Sequence, residues 1–193
     1  MKEFYIFRHG QTDMNVDKIW QGQGYNPHLN EKGISEAKKL ATKLKNKGIE
    51  IIFSSPMFRA YETAEIVSSM LNVEIVKEND FIESSIGIME GKIKPEIEKK
   101  YPIEYKKWRD LTLDTFDFGF LNGETKRQVV LRVLSKIKEI ALNTDYEIVG
   151  ISSHGAVLRW LSVYFNDANG EIPNCSYMKI NFEKDFIYKG LNF

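Results

Sequence analysis

Short apolar runs alternate along the chain with longer segments in which apolar residues recur every three or four positions. The run Phe4-Tyr5-Ile6-Phe7 ends at a polar loop, which is typical of a buried strand. Similar runs predict strands at 49–53, 73–76 and 148–151, and near 178–182 and 186–188.

Apolar residues at helical spacing predict four helices between these strands. They carry Ala37 to Leu44 before Gly48, Ala60 to Leu71, an apolar stripe between about 124 and 142, and Val157 to Tyr164. Residues 15–33 predict a long loop, and the less regular stretch 101–120 predicts a segment that covers part of the protein. The alternation indicates a single α/β domain over 1–193, with a largely parallel sheet between helices.

Composition and charge exclude several broad classes of protein. Lys+Arg and Asp+Glu both number 27, so the chain lacks the basic excess of a nucleic-acid-binding surface. No apolar run approaches the roughly 20 residues that a membrane helix needs, and the first residues lack a signal-peptide layout. The single cysteine, Cys175, fits a structural role and a reducing compartment. We therefore expect a cytoplasmic protein that binds neither nucleic acid nor membrane.

Two of the three histidines stand directly after strand-like runs, and each precedes a glycine. His9 follows the first run and His154 follows the run at 148–151. Active sites in parallel α/β folds lie beyond the carboxyl ends of strands, so both histidines are expected there. Arginine is scarce in this lysine-rich chain, yet Arg8 adjoins His9 and Arg59 follows another strand-end loop. A planar guanidinium binds phosphate oxygens in a bidentate fork, so this pattern indicates phosphate chemistry.

Six segments, taken together and in order, identify a family. They are Arg8-His9-Gly10-Gln11-Thr12 with Asn15, Gln21-Gly22 with 29–33, Ser54 to Ala64 around Arg59, Phe81-Ile82-Glu83 with Gly87 and Glu90-Gly91, Gly123-Glu124-Thr125 with Arg132, and Ser153-His154-Gly155. Between residue 4 and about 160 they resemble the signature of the histidine phosphatase (phosphoglycerate mutase-like) superfamily. The resemblance implies a three-layer α/β/α sandwich with a mostly parallel central sheet, and a cap or insertion at about 81–121.

The resemblance also implies a metal-independent phosphatase that forms a transient phosphohistidine. His9 would be the nucleophile, kept neutral by neighbouring arginines and fixed by a hydrogen bond from its second ring nitrogen to a main-chain carbonyl. Glu83, with a raised pKa, would protonate the leaving group. Arg8, Arg59 and His154 would form a cationic cradle for the phosphoryl oxygens.

The resemblance extends to the residues that bind the substrate. They are Arg8, Asn15, Gln21, Gly22, Arg59, Glu83, His154 and Gly155, helped by backbone N–H groups near Gly10 and Gly155. Glu90 and Glu124 are expected to hold loops or a helix start. No metal site and no cofactor are expected, and the partner would be a small phosphomonoester. The oligomeric state, including a homodimer, stays open.

Three positions depart from the family pattern without touching a catalytic residue. His28 stands where proline is common, Asn26 where aspartate is common, and Met89 where tryptophan is common. These departures affect the expected shape of the pocket rim and hence substrate choice. His28 itself is interpreted as a loop residue.

Three alternative functions remain at this stage. A cofactor-dependent mutase would return the phosphoryl group to a reoriented product, but such mutases are longer and carry added arginines for a substrate carboxylate, and the chain shows no such pair. A phosphate-binding module would lack turnover, and a two-histidine phosphoesterase using general acid–base catalysis would form no covalent intermediate. Sugar phosphates, phosphoserine, α-ribazole phosphate and phosphoglycerate all remain open as substrates.

Overall fold

The computed structural model describes residues 1–168 and 170–192. Its strands are β1 (Lys2–Arg8), β2 (Ile51–Ser54), β3 (Glu74–Lys77), β4 (Ile148–Ser153), β5 (Tyr177–Phe182) and β6 (Phe186–Asn192). Its α-helices are α1 (Asp13–Val16), α2 (Glu31–Leu44), α3 (Phe58–Leu71), α4 (Lys94–Lys100), α5 (Pro102–Arg109), α6 (Lys126–Asn143) and α7 (Gly155–Tyr164). No helix in these two ranges is long and apolar enough to cross a bilayer.

The six strands form one sheet in the order β3-β2-β4-β1-β5-β6. The pairs β3–β2, β2–β4 and β4–β1 are parallel, whereas β5 and β6 extend the sheet in antiparallel fashion. The four parallel strands therefore end at the same edge, where their loops meet. The predicted mixed α/β fold with a mostly parallel sheet is confirmed.

Alternation along β1 shows how the sheet is covered on both faces. Phe4 and Ile6 pack into a core with residues of α6 and α7, while Tyr5 and Phe7 pack into a second core with residues of α2 and α3. All four side chains are buried. Because successive strand residues point to opposite faces, a fully apolar strand needs a helix layer on each side. The expected three-layer arrangement follows.

Two segments differ from the sequence expectation. The predicted loop 15–33 overlaps the last two residues of the short helix α1, whose N-cap is Thr12, and contains the start of α2, whose N-cap is Asn30. The irregular stretch 101–120 contains α5, with Pro102 in its first turn, and α4 precedes it. These helices span only 7 and 8 residues, which is too short for a helical period to stand out.

The segment around α5 is fastened to the core by aromatic packing and a buried lysine. Trp108 packs edge-on against Trp160 of α7, with ring centroids 5.1 Å apart. Lys126 is fully buried and donates to the carbonyl oxygens of Lys107 and Asp110 at 2.7 and 2.8 Å, and to the Thr115 hydroxyl at 2.9 Å. Burial lowers the Lys126 pKa to about 8. This clamp fixes the backbone on both sides of Arg109. A role of the 81–121 segment as a cap stays a prediction.

Candidate active site

The pairing of β1 with β4 brings the two strand-end histidines together. Arg8 lies opposite Ser153 in the parallel register, so the next residue in each chain segment is a histidine. The His9 backbone N–H donates to the Ser153 carbonyl at 3.0 Å. The imidazole rings of His9 and His154 approach with centroids 5.2 Å apart.

Arg59 reaches the same place from the neighbouring strand. β2 is paired with β4 so that Ser54 lies opposite Ser152, and α3 begins four residues later. Arg59 in the first turn of α3 is fully buried. Its two Nη atoms donate to the carbonyl oxygens of Tyr25 and Gly22 at 3.0 and 2.9 Å. The loop after α1 therefore fixes the orientation of this guanidinium.

The two nitrogen atoms of the His9 ring differ in their hydrogen bonding. Its Nδ1 lies 2.7 Å from the Gly10 carbonyl oxygen. A carbonyl only accepts, so Nδ1 carries the proton and Nε2 carries the lone pair. Burial, followed by the charges of Arg59 and Arg8, lowers the His9 pKa well below its usual 6.5. The predicted neutral state and carbonyl contact are thus confirmed, with burial as the larger cause.

Three buried nitrogen atoms around His9 lack a partner among the residues that the structure describes. They are Nε of Arg8, Nε of Arg59 and Nδ1 of His154. Leaving a buried donor unpaired costs about 1–3 kcal/mol, and more for a charged group. Gly155 leaves space here, since a Cβ at this position would lie 3.1 Å from Arg8 Nε. An anion with several oxygens would satisfy these groups together.

His154 differs from its expected role as a cationic part of the cradle. It is fully buried, and its Nε2 lies 2.8 Å from the Ser55 hydroxyl. Burial, the Arg59 charge and the neighbouring His9 lower the His154 pKa well below 6.5. The ring is therefore neutral at pH 7, and the positive charge of the cradle comes from the two arginines. Sequence reasoning did not assign Ser55 this contact.

Glu83 lines the same cavity and is held by its own loop. Its Oε1 accepts from the Ser84 backbone N–H at 2.9 Å. Arg132 of α6 donates to the carbonyl oxygens of Ile82 and Glu83 at 3.0 and 3.1 Å, and its Nε bonds Glu124 at 2.8 Å. Arg132 and Glu124 thus position the loop that carries Glu83, which agrees with the structural role expected for Glu124.

The remaining predicted substrate-binding residues all line the cavity. They are Asn15, Gln21, Gly22 and Gly155. Gln21 donates to the Thr12 hydroxyl at 3.0 Å, and Gly22 adopts φ +52° and accepts from Arg59. Contact of any of them with substrate stays a prediction.

The backbone N–H of Gly10 is not available to a phosphate, contrary to expectation. It donates to the Thr63 hydroxyl at 3.0 Å. The glycine is needed for another reason, because a Cβ there would overlap the carbonyl oxygen of Gly33. Gly10 therefore lets β1 and the start of α2 come close together.

Comparisons with known proteins agree with this geometry. A family model for the histidine phosphatase superfamily (branch 1) matches residues 4–188. The chain belongs to this superfamily. It is 30% identical over 159 residues to phosphoserine phosphatase 1 of Hydrogenobacter thermophilus, covering 82% of this chain and 74% of that protein. It is 27% identical over 190 residues to a probable phosphoglycerate mutase of Proteus mirabilis, covering 95% and 86%.

A solved phosphatase structure shares the fold. The mycobacterial glucosyl-3-phosphoglycerate phosphatase superposes with a TM-score of 0.87 at 24% identity, covering 100% of this chain and 99% of that one. Similarity at this level establishes the common architecture.

Two cavity residues of this histidine phosphatase were missed or underrated by sequence reasoning. The cavity has a volume of about 470 Å³, and both Arg109 and Arg159 line it. The argument from the sequence that the chain shows no added arginine pair did not consider these two residues together, and their binding to a substrate carboxylate stays a prediction. A usable signal existed, since Arg159 follows Gly155 by four positions and thus lies on the same face of α7.

Other chemistry-bearing residues have structural explanations. Burial raises the Cys175 pKa to about 12, so its thiol stays protonated, and the predicted structural role is confirmed. His28 lies in the loop, contacts Glu62 and stacks on Phe58 with ring centroids 4.5 Å apart. Within 1–168 and 170–192, no three His, Cys, Asp or Glu side chains cluster as metal ligands.

Proposed function

We propose that this histidine phosphatase hydrolyses small phosphomonoesters without a metal ion, through a phosphohistidine on His9. The observation that carries the proposal is the unpaired Nε2 of neutral His9 beside three buried nitrogen atoms without partners in the described part of the chain. His9, Arg8 and Arg59 line one cavity, and the His154 ring packs against that of His9.

The phosphoryl group would bind by filling these empty hydrogen-bond positions. Arg8 Nε and Arg59 Nε would donate to two of its non-bridging oxygens. When the Ser55 hydroxyl donates to His154 Nε2, the His154 proton resides on Nδ1, which becomes a third donor. The N-terminus of α7 at Gly155 adds backbone N–H groups with a favourable dipole.

The reaction would proceed as two displacements on phosphorus. His9 Nε2 forms a bond to phosphorus while the bond to the leaving oxygen breaks, and Glu83 gives that oxygen its proton. The Gly10 carbonyl stabilises the positive charge that the imidazole gains, through Nδ1–H. In the second step water attacks phosphorus, Glu83 takes its proton, and the phosphorus–nitrogen bond breaks to restore His9.

Independence from metal ions is proposed from the charge already present. The Arg59 guanidinium stays protonated because its lowered pKa is still about 10, and Arg8 brings a second guanidinium to the same cavity. Two such groups can stabilise the equatorial oxygens in the transition state, a task that a divalent cation performs in other phosphoryl-transfer sites.

Phosphate release from a chromogenic aryl ester, measured with and without a chelator, tests this function. Release by the wild-type protein should persist with the chelator. It should fall by roughly a thousandfold or more in His9→Ala. It should remain in the control His28→Ala, which alters a loop histidine. Loss of release on chelation would refute metal independence. A wild-type protein that binds phosphate without releasing any from esters would instead be a binding module.

One observation favours a second candidate, a phosphoglycerate mutase-type phosphotransferase. Arg109 and Arg159 supply the arginine pair that sequence reasoning found missing, and the Proteus mirabilis relative is named a probable mutase. Incubation with phosphoglycerate and 2,3-bisphosphoglycerate separates the two functions. Isomer formation faster than phosphate release would establish the mutase, and the reverse is expected here.

A further inference from the structure

A second set of cationic side chains lines the cavity beyond the groups that surround His9. This outer set consists of Arg109, Arg159, Lys18 and Lys94. With Arg8 and Arg59, six cationic residues face only two carboxylates, Glu83 and Glu171, among the lining residues that the structure describes. Because the whole chain has a formal charge of zero, positive charge is concentrated at this cavity.

Arg159 is partly buried and forms no ion pair with another residue that the structure describes. Its Nε is buried and makes no hydrogen bond, and neither an ion pair nor a hydrogen bond joins its guanidinium to another residue within 1–168 and 170–192. Its Cζ lies 5.6 Å from the ring centroid of Trp160. Burial, followed by the charges of Arg109 and Arg8, lowers its pKa to about 10, so it is charged at pH 7.

Arg109 brings a like charge to the same wall from the end of α5. Its Nη2 donates to the Gly170 carbonyl at a long 3.4 Å. The clamp from Lys126 to the carbonyl oxygens of Lys107 and Asp110 fixes the backbone on either side of it. Among the charged groups, Arg109 acts most strongly on Arg159, and an anion bound beside both guanidinium groups would relieve this repulsion.

We propose that Arg109 and Arg159 form a second anion-binding subsite, which selects phosphomonoesters whose leaving group carries a further carboxylate or phosphate. The subsite rests on the proposed function, because a phosphoryl group beside His9 determines where the leaving group lies. Planar guanidinium forks suit the paired oxygens of either anion. The subsite thus defines a substrate class: small metabolites with two negatively charged groups.

Matched ester pairs test the subsite. O-phosphoserine and O-phosphoethanolamine differ by one carboxylate, and propanediol bisphosphate and monophosphate differ by one phosphate. The measured quantity is the kcat/KM ratio of the more anionic ester to its partner. The wild-type ratio should exceed about ten for at least one pair, and the pair that shows it identifies the anion. Arg159→Met should lower that ratio about tenfold or more, and Arg159→Lys should lower it less, because a charge remains without the planar fork.

The matched control is Arg127→Met, which removes an exposed arginine paired with Asp117 outside the cavity. It should leave the ratio unchanged. A wild-type ratio near or below one for both pairs would overturn the subsite. So would an Arg159→Met variant that loses activity equally on both members of a pair, since that result indicates a structural role for Arg159.

Binding to the His9→Ala variant separates this proposal from the proposed function. Calorimetry should show tighter binding of the more anionic ester, and Arg159→Met in the same background should remove the difference. This binding result would support the subsite even if wild-type protein hydrolysed no ester. The absence of hydrolysis would refute the proposed phosphatase function and would leave the subsite supported. Equal affinities for both members of each pair would overturn the subsite while turnover by wild-type protein still supported the phosphatase.

Discussion

The imidazole rings of His9 and His154 meet edge to face, with centroids 5.2 Å apart and an interplanar angle of 62°. Both rings are buried, and burial is the main reason why both pKa values lie well below 6.5. In each neutral ring, one nitrogen makes no hydrogen bond to any residue that the structure describes. In the proposed mechanism, the pair therefore combines a nucleophilic nitrogen on His9 with a phosphate-binding nitrogen on His154.

The lowered pKa of His9 predicts the acid limb of the pH–rate profile. Protonation removes the nucleophile, so kcat/KM should stay high through pH 6.5 and decline only at lower pH. Arg59→Met should raise the His9 pKa towards 6.5, because Arg59 is the largest charge acting on it. NMR titration of the ring protons in the free protein gives the pKa directly. A wild-type value at or above 6.5 would contradict the account.

The same histidines make stability depend on pH. Their folded pKa values are depressed, so below pH 6.5 the unfolded chain binds protons that the folded protein does not. Stability should therefore fall as pH falls below 6.5, by up to about 1.4 kcal/mol per pH unit for each histidine. Urea denaturation at several pH values should show a shallower dependence for His9→Gln than for wild-type protein. Identical slopes would mean that His9 titrates alike in both states.

The proton-donor role of Glu83 predicts a dependence on the leaving group. Glu83→Gln should slow hydrolysis of alkyl esters by roughly a hundredfold or more, because an alkoxide must be protonated as it leaves. Formation of the phosphoenzyme from p-nitrophenyl phosphate should be affected much less, since that phenolate leaves without a proton. Pre-steady-state release of the phenol measures this step. Equal losses with both esters would exclude Glu83 as the acid.

Close approach at Gly10 predicts a stability effect separate from catalysis. Gly10→Ala should destabilise the protein by about 1–3 kcal/mol, since its Cβ would overlap the Gly33 backbone. Gly170→Ala is the control, because a Cβ there meets only the Leu111 side chain at 3.5 Å. Urea unfolding compares the two variants. Similar stabilities would show that the contact can relax.

Sequence patterns predicted the fold and the inner site because both depend on local signals. Strand-end placement of His9 and His154 required only that their strands be neighbours, which the β1–β4 pairing supplies. Arg159 was missed because α7 was interpreted through the apolar residues Val157 and Leu161. The four-residue spacing from Gly155 places Arg159 at the cavity only if α7 begins at the sheet edge beside His9, and that tertiary relationship is not encoded in the spacing.

Other features also depend on the folded environment. The neutral state of His154 results chiefly from its complete burial. The sequence places His154 beside predicted cationic groups, but it does not show how deeply the ring is buried. The helix α5 is held by packing and by the Lys126 clamp, and α4 packs through the buried Ile97, so neither helix has a long apolar stripe. Short helices of this kind depend on tertiary contacts for their stability.

Trapping the covalent intermediate tests the central claim most directly. Glu83→Gln treated with labelled p-nitrophenyl phosphate should accumulate phosphoenzyme, because the first step needs no acid and the second lacks its base. Peptide mapping should place an acid-labile, base-stable label on His9, and the label should be absent when His9→Ala is added. Hydrolysis of the ester by wild-type protein, with no label on His9 in the trapping variant, would contradict the account.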